Sequence, residues 1–148
     1  LPEYQTKNAA GADFFCAEEA TILPLGRKSV DNPNFVFTNH KPTLVHTGIK
    51  ANMEEDEVLE LYNRSSNPKK LGLVLANGVG VVDADYYNNS DNDGEIMFAF
   101  FNISDKPVTL HVGDRIGQGV FKKYLRPTEG LRIKEEERKG GFGSTGRS

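Results

Sequence analysis

Asp83 and Asp85 are separated by a single residue, and Tyr86 and Tyr87 follow directly. A carboxylate held at the end of a rigid element can orient and deprotonate a water. The element leading to these acids is the apolar run of residues 71–82, interrupted by Asn77-Gly78. That dipeptide predicts two short strands folded back over a type I′ turn, which needs positive φ at both central residues. Delivery of polar groups to a cleft is one reading of this stretch. A buried hairpin whose acids merely begin a solvated turn is the other.

Four more groups carry chemistry. Arg64-Ser65-Ser66-Asn67-Pro68 ends the strand predicted over residues 58–63. Ser65 or Ser66 can cap a short helix with Pro68 in its first turn. Free amides there, with the forked cation of Arg64, suit phosphate; a capped surface turn is equally open. Asp13 follows a run of small residues and can serve a metal or phosphate site, or simply a cap or the surface. Residues 113–121 read as a Gly-marked turn into a strand, with Gln118 between Gly117 and Gly119, which suggest close backbone approach. The charged residues 134–139 lead into a glycine-rich end with Phe142, Gly143 and Ser144. Such amides and hydroxyls can turn toward an anion, and the aromatic can lie over a flat ring. A mobile tail is the other reading.

The 148 residues make one domain, with 37% hydrophobic and 26% charged residues and a net charge of -3. That charge argues against a broad nucleic-acid-binding face but permits a small phosphate site. One cysteine, Cys16, leaves no intrachain disulfide and fits a reducing cytoplasm. His40, His46 and His111 share no metal-ligand spacing, which argues against zinc. The acids of residues 88–94 alternate without completing a calcium-loop pattern. No apolar run approaches the roughly 20 residues of a membrane span, and no signal-peptide pattern opens the chain. Short apolar runs separated by Gly and Pro, without a helical period, predict an all-β sandwich or barrel.

Taken together, these stretches resemble the trimeric dUTP diphosphatase (dUTPase) family over nearly the whole chain. Residues 10–13, 64–66, 77–86, 113–118 and 140–146 are similar to its five motifs, in order. The resemblance implies an all-β, distorted jelly-roll barrel over residues 1–133 and a flexible C-terminal arm over 134–148. It implies a homotrimer with sites at subunit interfaces, each closed by a neighbour's arm, and magnesium-assisted hydrolysis of dUTP to dUMP and pyrophosphate. It also implies that Asn77, Gly80 and Val82 belong to a backbone that reads uracil, and that Tyr86 packs under the deoxyribose. Asp83 would hold the attacking water, Arg64, Ser65, Ser66 and Gln118 would meet phosphate, and Phe142 would stack on the base beside Gly143 and Ser144. Asp13 would approach the magnesium through water.

The chain departs from the family pattern at Asn63, where proline is common, at Ala84 for serine and at Gly117 for alanine. A polar insertion over residues 87–93 precedes the usual Gly-Glu. Arg138 is one residue displaced from the family arginine that meets the γ-phosphate, a role Lys139 can share. The rival within enzymes is a dCTP deaminase, which has the same fold. A rival of another class is the phage-type regulator, with the 87–93 insertion as a protein-binding surface.

Overall fold

The computed structural model describes residues 1–27, 31, 34–38, 40–134, 138 and 141. The strands among them are β1 (Ala12–Phe15), β2 (Ala20–Ile22), β3 (Gly26–Arg27), β4 (Val36–Phe37), β5 (Thr43–His46) and β6 (Glu57–Tyr62). After these come β7 (Leu73–Leu75), β8 (Gly80–Val82), β9 (Met97–Asn102), β10 (Val108–Leu110) and β11 (Arg115–Lys123). The helical segments are a short π-type turn, Asn67–Leu71, and a 3-10 turn, Ala84–Tyr86. The expectation of an all-β chain is met.

Seven of these strands lie in two sheets, one in the order β1-β11-β6-β8 and one in the order β5-β9-β7. Alternation in the first sheet assigns its faces. Ala12 and Phe14 of β1 are buried while Asp13 between them is turned outward. In β6, Leu59 and Leu61 point inward and Glu60 outward. β9 departs from alternation: all but one of its residues are buried, so both of its faces are covered. Phe14 of the first sheet meets Phe98 of the second with ring centroids 5.7 Å apart, tilted by 56°. That contact sits in a core with Ile22, Val45, Leu59, Leu73, Phe100 and Ile116.

The glycines of β11 make this contact possible. A Cβ on Gly117 would clash with the Phe98 ring at Cε1, and one on Gly119 would lie 2.7 Å from Phe14 Cε2. The close approach predicted for this pair is therefore met, and its cause is aromatic packing between the sheets.

The expected hairpin over Asn77-Gly78 does not form. β7 pairs with β9 and β8 pairs with β6, so the two strands leave the turn into different sheets. Gly78 has a φ of 71°, whereas Asn77 is not among the residues with positive φ. The turn is thus not type I′, because the strands it joins diverge rather than pair. The apolar partners available on β6 and β9 outcompeted the local pairing that the dipeptide favours.

Candidate functional site

This divergence opens a slot. β7 and β8 are both edge strands, and each turns one row of backbone N–H and C=O groups away from its sheet. The turn between them is held by Gly78 N–H donating to Leu75 O at 3.2 Å and Ala76 N–H donating to Ala99 O at 2.9 Å. A cavity of about 250 Å³ lies against it, lined by Asn77, Gly80, Val81, Val82, Asp83 and Tyr86. Leu61, Ile96 and Met97 complete its apolar wall. Gly80 is required here because Leu61 Cβ would be only 2.9 Å from a Cβ at that position. The volume falls near the small end of ligand pockets, suited to a flat ring and its attached sugar rather than a larger molecule.

Asp83 stands at the mouth. Its backbone is extended, at φ -77° and ψ 159°, and begins the 3-10 turn that carries Asp85 and Tyr86. Its side chain makes no capping bond to that turn. Instead Arg138 spans both acids, donating from Nη2 to Asp83 Oδ2 at 2.6 Å and from Nε to Asp85 Oδ1 at 2.7 Å. A planar fork suits this two-carboxylate bridge better than an ammonium would. The arginine side chain is only 20% exposed, against 49% for Asp83, so the acid still faces solvent on one side. An adjoining open cleft of about 550 Å³ shares Asp83 and Arg138 and is bordered by Glu55, Asp85, Tyr124 and Arg126.

Tyr86 is buried, and its hydroxyl donates to Glu95 O at 2.7 Å. Burial pushes this phenol up from its ordinary value, against the opposing hydrogen bond from Asn92. The ring is therefore a neutral wall of the cavity. Gly141 lies against it, since a Cβ there would be 3.0 Å from Tyr86 Cε2.

A second cluster gathers Arg64, Ser65, Ser66, Gln118 and Asp13 around the other end of the first sheet. Asp13 is opposite Gln118 across β1 and β11 and pairs with Arg115 Nη1 at 3.3 Å. Arg64 Nη1 donates to Arg115 O at 3.1 Å, and Gln118 Nε2 donates to Asn63 O at 3.2 Å. Asn63, standing where proline was expected, accepts from Arg64 N–H at 2.9 Å and donates to Leu73 O at 2.9 Å. The predicted short helix follows with Pro68 in its first turn. Ser66 occupies its cap position, but its side chain makes no capping hydrogen bond, contrary to that part of the expectation.

The two clusters do not meet within one chain. Val82 is opposite Leu59, so Asp83 lies level with the start of β6 and Arg64 beyond its end. The offset is roughly six residues, or about 20 Å at a strand's rise of about 3.3 Å per residue. Among the described residues, no group of three His, Cys, Asp or Glu side chains could hold a metal ion. Phe142, Gly143, Ser144 and Lys139 lie outside the described residues. His46 Nδ1 lies 3.1 Å from the Glu95 carboxylate, as a structural residue would.

Sequence reasoning missed Leu61, Ile96, Met97 and Arg126. The first three read as ordinary core positions, and nothing in an apolar pattern separates a residue lining a cavity from one filling it. Arg126 stood in an unpatterned charged stretch.

A family profile described as dUTPase matches residues 1–146. The Deoxyuridine 5'-triphosphate nucleotidohydrolase of Lactococcus lactis is 42% identical over 146 residues, covering 99% of this chain and 87% of the relative. The crystal structure of a dUTPase from Streptococcus mutans superimposes with a TM-score of 0.75 at 43% identity, over 87% of this chain and 89% of that one. A dUTPase from phage phi11 of S. aureus, described for the coordination of a structural Mg(II) ion, is 21% identical. It shares the fold, with a TM-score of 0.65 over 92% of this chain and 90% of its own.

Proposed function

The chain belongs to the dUTPase family, and from that premise we propose that it hydrolyses dUTP to dUMP and pyrophosphate at a site shared between copies of itself. The observation that carries this reading is the cavity between the edge strands β7 and β8, with the Asp83 carboxylate at its mouth.

Uracil enters the slot and pairs with the outward backbone edge of residues 77–82. Cytosine reverses donor and acceptor at N3 and at the C4 substituent and leaves the groups facing them unmatched, a loss that can discriminate by about 10⁴-fold. Tyr86 packs under the deoxyribose. Asp83 takes a proton from a water aimed at the α-phosphorus. The Arg138 bridge supports this step, because a triphosphate offers the guanidinium oxygens that compete with the two carboxylates. Once Arg138 turns to phosphate, Asp83 is released to accept the proton.

Arg64, Ser65, Ser66 and Gln118 serve the phosphates of a neighbouring copy. The opposite placement of the two clusters on one sheet supports this, since no single triphosphate touches both within one chain. A closed threefold assembly satisfies the requirement for every copy at once. The barrel spans residues 1–133, and the arm of 134–148 brings Phe142, Gly143 and Ser144 over the base and phosphates. The chain works in the cytoplasm, in keeping with its lone free cysteine.

The donor set fits magnesium in one way. Asp13 is a single carboxylate, mostly covered and paired with Arg115. Magnesium keeps several waters and is held by one or two carboxylates plus substrate phosphates. It would therefore be held by the triphosphate, with Asp13 reached through water, and when bound it lowers the negative charge that opposes attack on phosphorus.

The test is a substrate panel of dUTP, dCTP, dTTP and UTP, read for pyrophosphate and ammonia. Pyrophosphate without ammonia, with strong preference for dUTP, is expected. Ammonia release from dCTP would transfer the chain to the deaminase reading. Comparable hydrolysis of all four would defeat the selective slot.

A further inference from the structure

Residues 87–93, the polar insertion, turn two of their three carboxamides, those of Asn89 and Asn92, toward Tyr86. Asn89 is buried, and its Oδ1 accepts the N–H groups of Asp91 and Asn92, each at 3.0 Å. Its Nδ2 donates to Tyr86 O at 2.7 Å and to Asn92 Oδ1 at 2.8 Å. Asn92 Oδ1 also accepts Gly94 N–H at 3.1 Å, and Asn92 Nδ2 donates to the Tyr86 hydroxyl at 2.7 Å. The hydroxyl passes its own proton toward Glu95 O. Both loop shoulders, Asn88 at φ 57° and Asp93 at φ 61°, are left-handed. Lys50 Nζ ties them together, at 2.6 Å from Asn88 Oδ1 and 2.9 Å from Asp93 Oδ2. Gly94 closes the loop at φ 86°, where a Cβ would be 2.8 Å from Tyr86 O.

This wiring has one beneficiary. The main-chain carbonyl of Tyr86 and its hydroxyl are both held by loop carboxamides, so the residue is fixed at its backbone and at the tip of its ring. A docking surface would present those carboxamides outward; here they are consumed inside. We infer that the 87–93 loop is a brace for Tyr86, and that Asn92 is a positioning residue that sets discrimination between 2′-deoxy and 2′-hydroxy nucleotides. The inference rests on the proposed packing of Tyr86 under the deoxyribose. A ring pinned at its hydroxyl cannot retreat to admit an extra sugar oxygen. A ring free to tilt can.

The experiment compares kcat/KM for dUTP with that for UTP in full-length variants. Asn92→Asp keeps the acceptor for Gly94 but sets a second acceptor against the Tyr86 hydroxyl, which has one proton to give. The dUTP-to-UTP ratio is expected to fall about three- to tenfold, the worth of one hydrogen bond, through a lower KM for UTP with kcat on dUTP nearly unchanged. Tyr86→Phe removes that bond together with the one the hydroxyl gives to Glu95 O, and should lower the ratio at least as much. It carries the test alone if Asn92→Asp does not fold. The double variant should fall no further than Tyr86→Phe alone. An unchanged ratio in both single variants, or effects that multiply in the double, overturns the brace. Tyr86→Ala separates the two readings. If it leaves the ratio unchanged, the sugar-floor reading fails and takes the brace with it. If it lowers the ratio while Asn92→Asp and Tyr86→Phe do not, the brace alone fails.

Discussion

Asp83 owes its position to what it does not do. An aspartate at the start of a helical turn ordinarily spends its carboxylate on the turn's amides, yet here that side chain is left for Arg138. Asp83→Asn preserves shape and hydrogen-bonding capacity but removes the basic oxygen. The expected outcome is a kcat lower by about 10²–10⁴-fold with nucleotide binding retained, checked by steady-state kinetics beside isothermal titration. Near-normal turnover would remove Asp83 from the role of base. Tyr86 carries a second consequence. Because burial raises its phenol, the folded chain holds that proton more tightly than the unfolded chain. Its contribution to stability is intact below the unfolded phenol value of about 10 and is lost as pH rises through the higher folded value. Urea unfolding at pH 8 and at stepwise higher pH should therefore show a fall in midpoint above about pH 10. Tyr86→Phe should shrink that fall, and an identical fall in the variant would assign it elsewhere.

At the scale of elements, the site exists because β7 and β8 part company. Each finds a better partner in another sheet, and the edges they leave behind frame the cavity. β11 contributes in a different way, by having no side chain where Phe98 lies. Gly117→Ala restores the residue common in the family but forces a Cβ into a ring that is 1% exposed and packed on Phe14. Overpacking of this kind costs about 1–3 kcal/mol, and chemical denaturation should report a loss of that size. Stability equal to the parent would mean that Phe98 can repack freely, contrary to the close fit between the sheets.

The whole molecule raises the question of how many chains make one site. The register of β6 and β8 keeps Asp83 and Arg64 at opposite ends of a sheet, so copies lacking one or the other should complement each other. Asp83→Asn and Arg64→Ala chains, each nearly inactive alone, are expected to regain activity when co-assembled. Random mixing in a closed assembly restores on the order of a quarter of the sites. A mixture as inactive as its parts would show that each site is built from a single chain.

Local chemistry was readable where a residue acts through its own type. The all-β character came from short apolar runs between Gly and Pro, and the phosphate candidates from Arg64 beside two serines. The carboxylate pair was visible as an apolar run ending in acid, and the close approach at Gly117 as a glycine within a strand. The pairing of β7 and β8 was not readable, because Asn77-Gly78 reports only the local preference of a turn. Partner choice is settled by apolar surface far along the chain, on β6 and β9. The hold of Arg138 on Asp83 spans 55 positions of chain, and no spacing rule reaches that far. The hydrogen bonds that hold Tyr86 come from a segment that read only as polar, because hydrogen-bond direction, not composition, decides whether an asparagine faces water or its own fold.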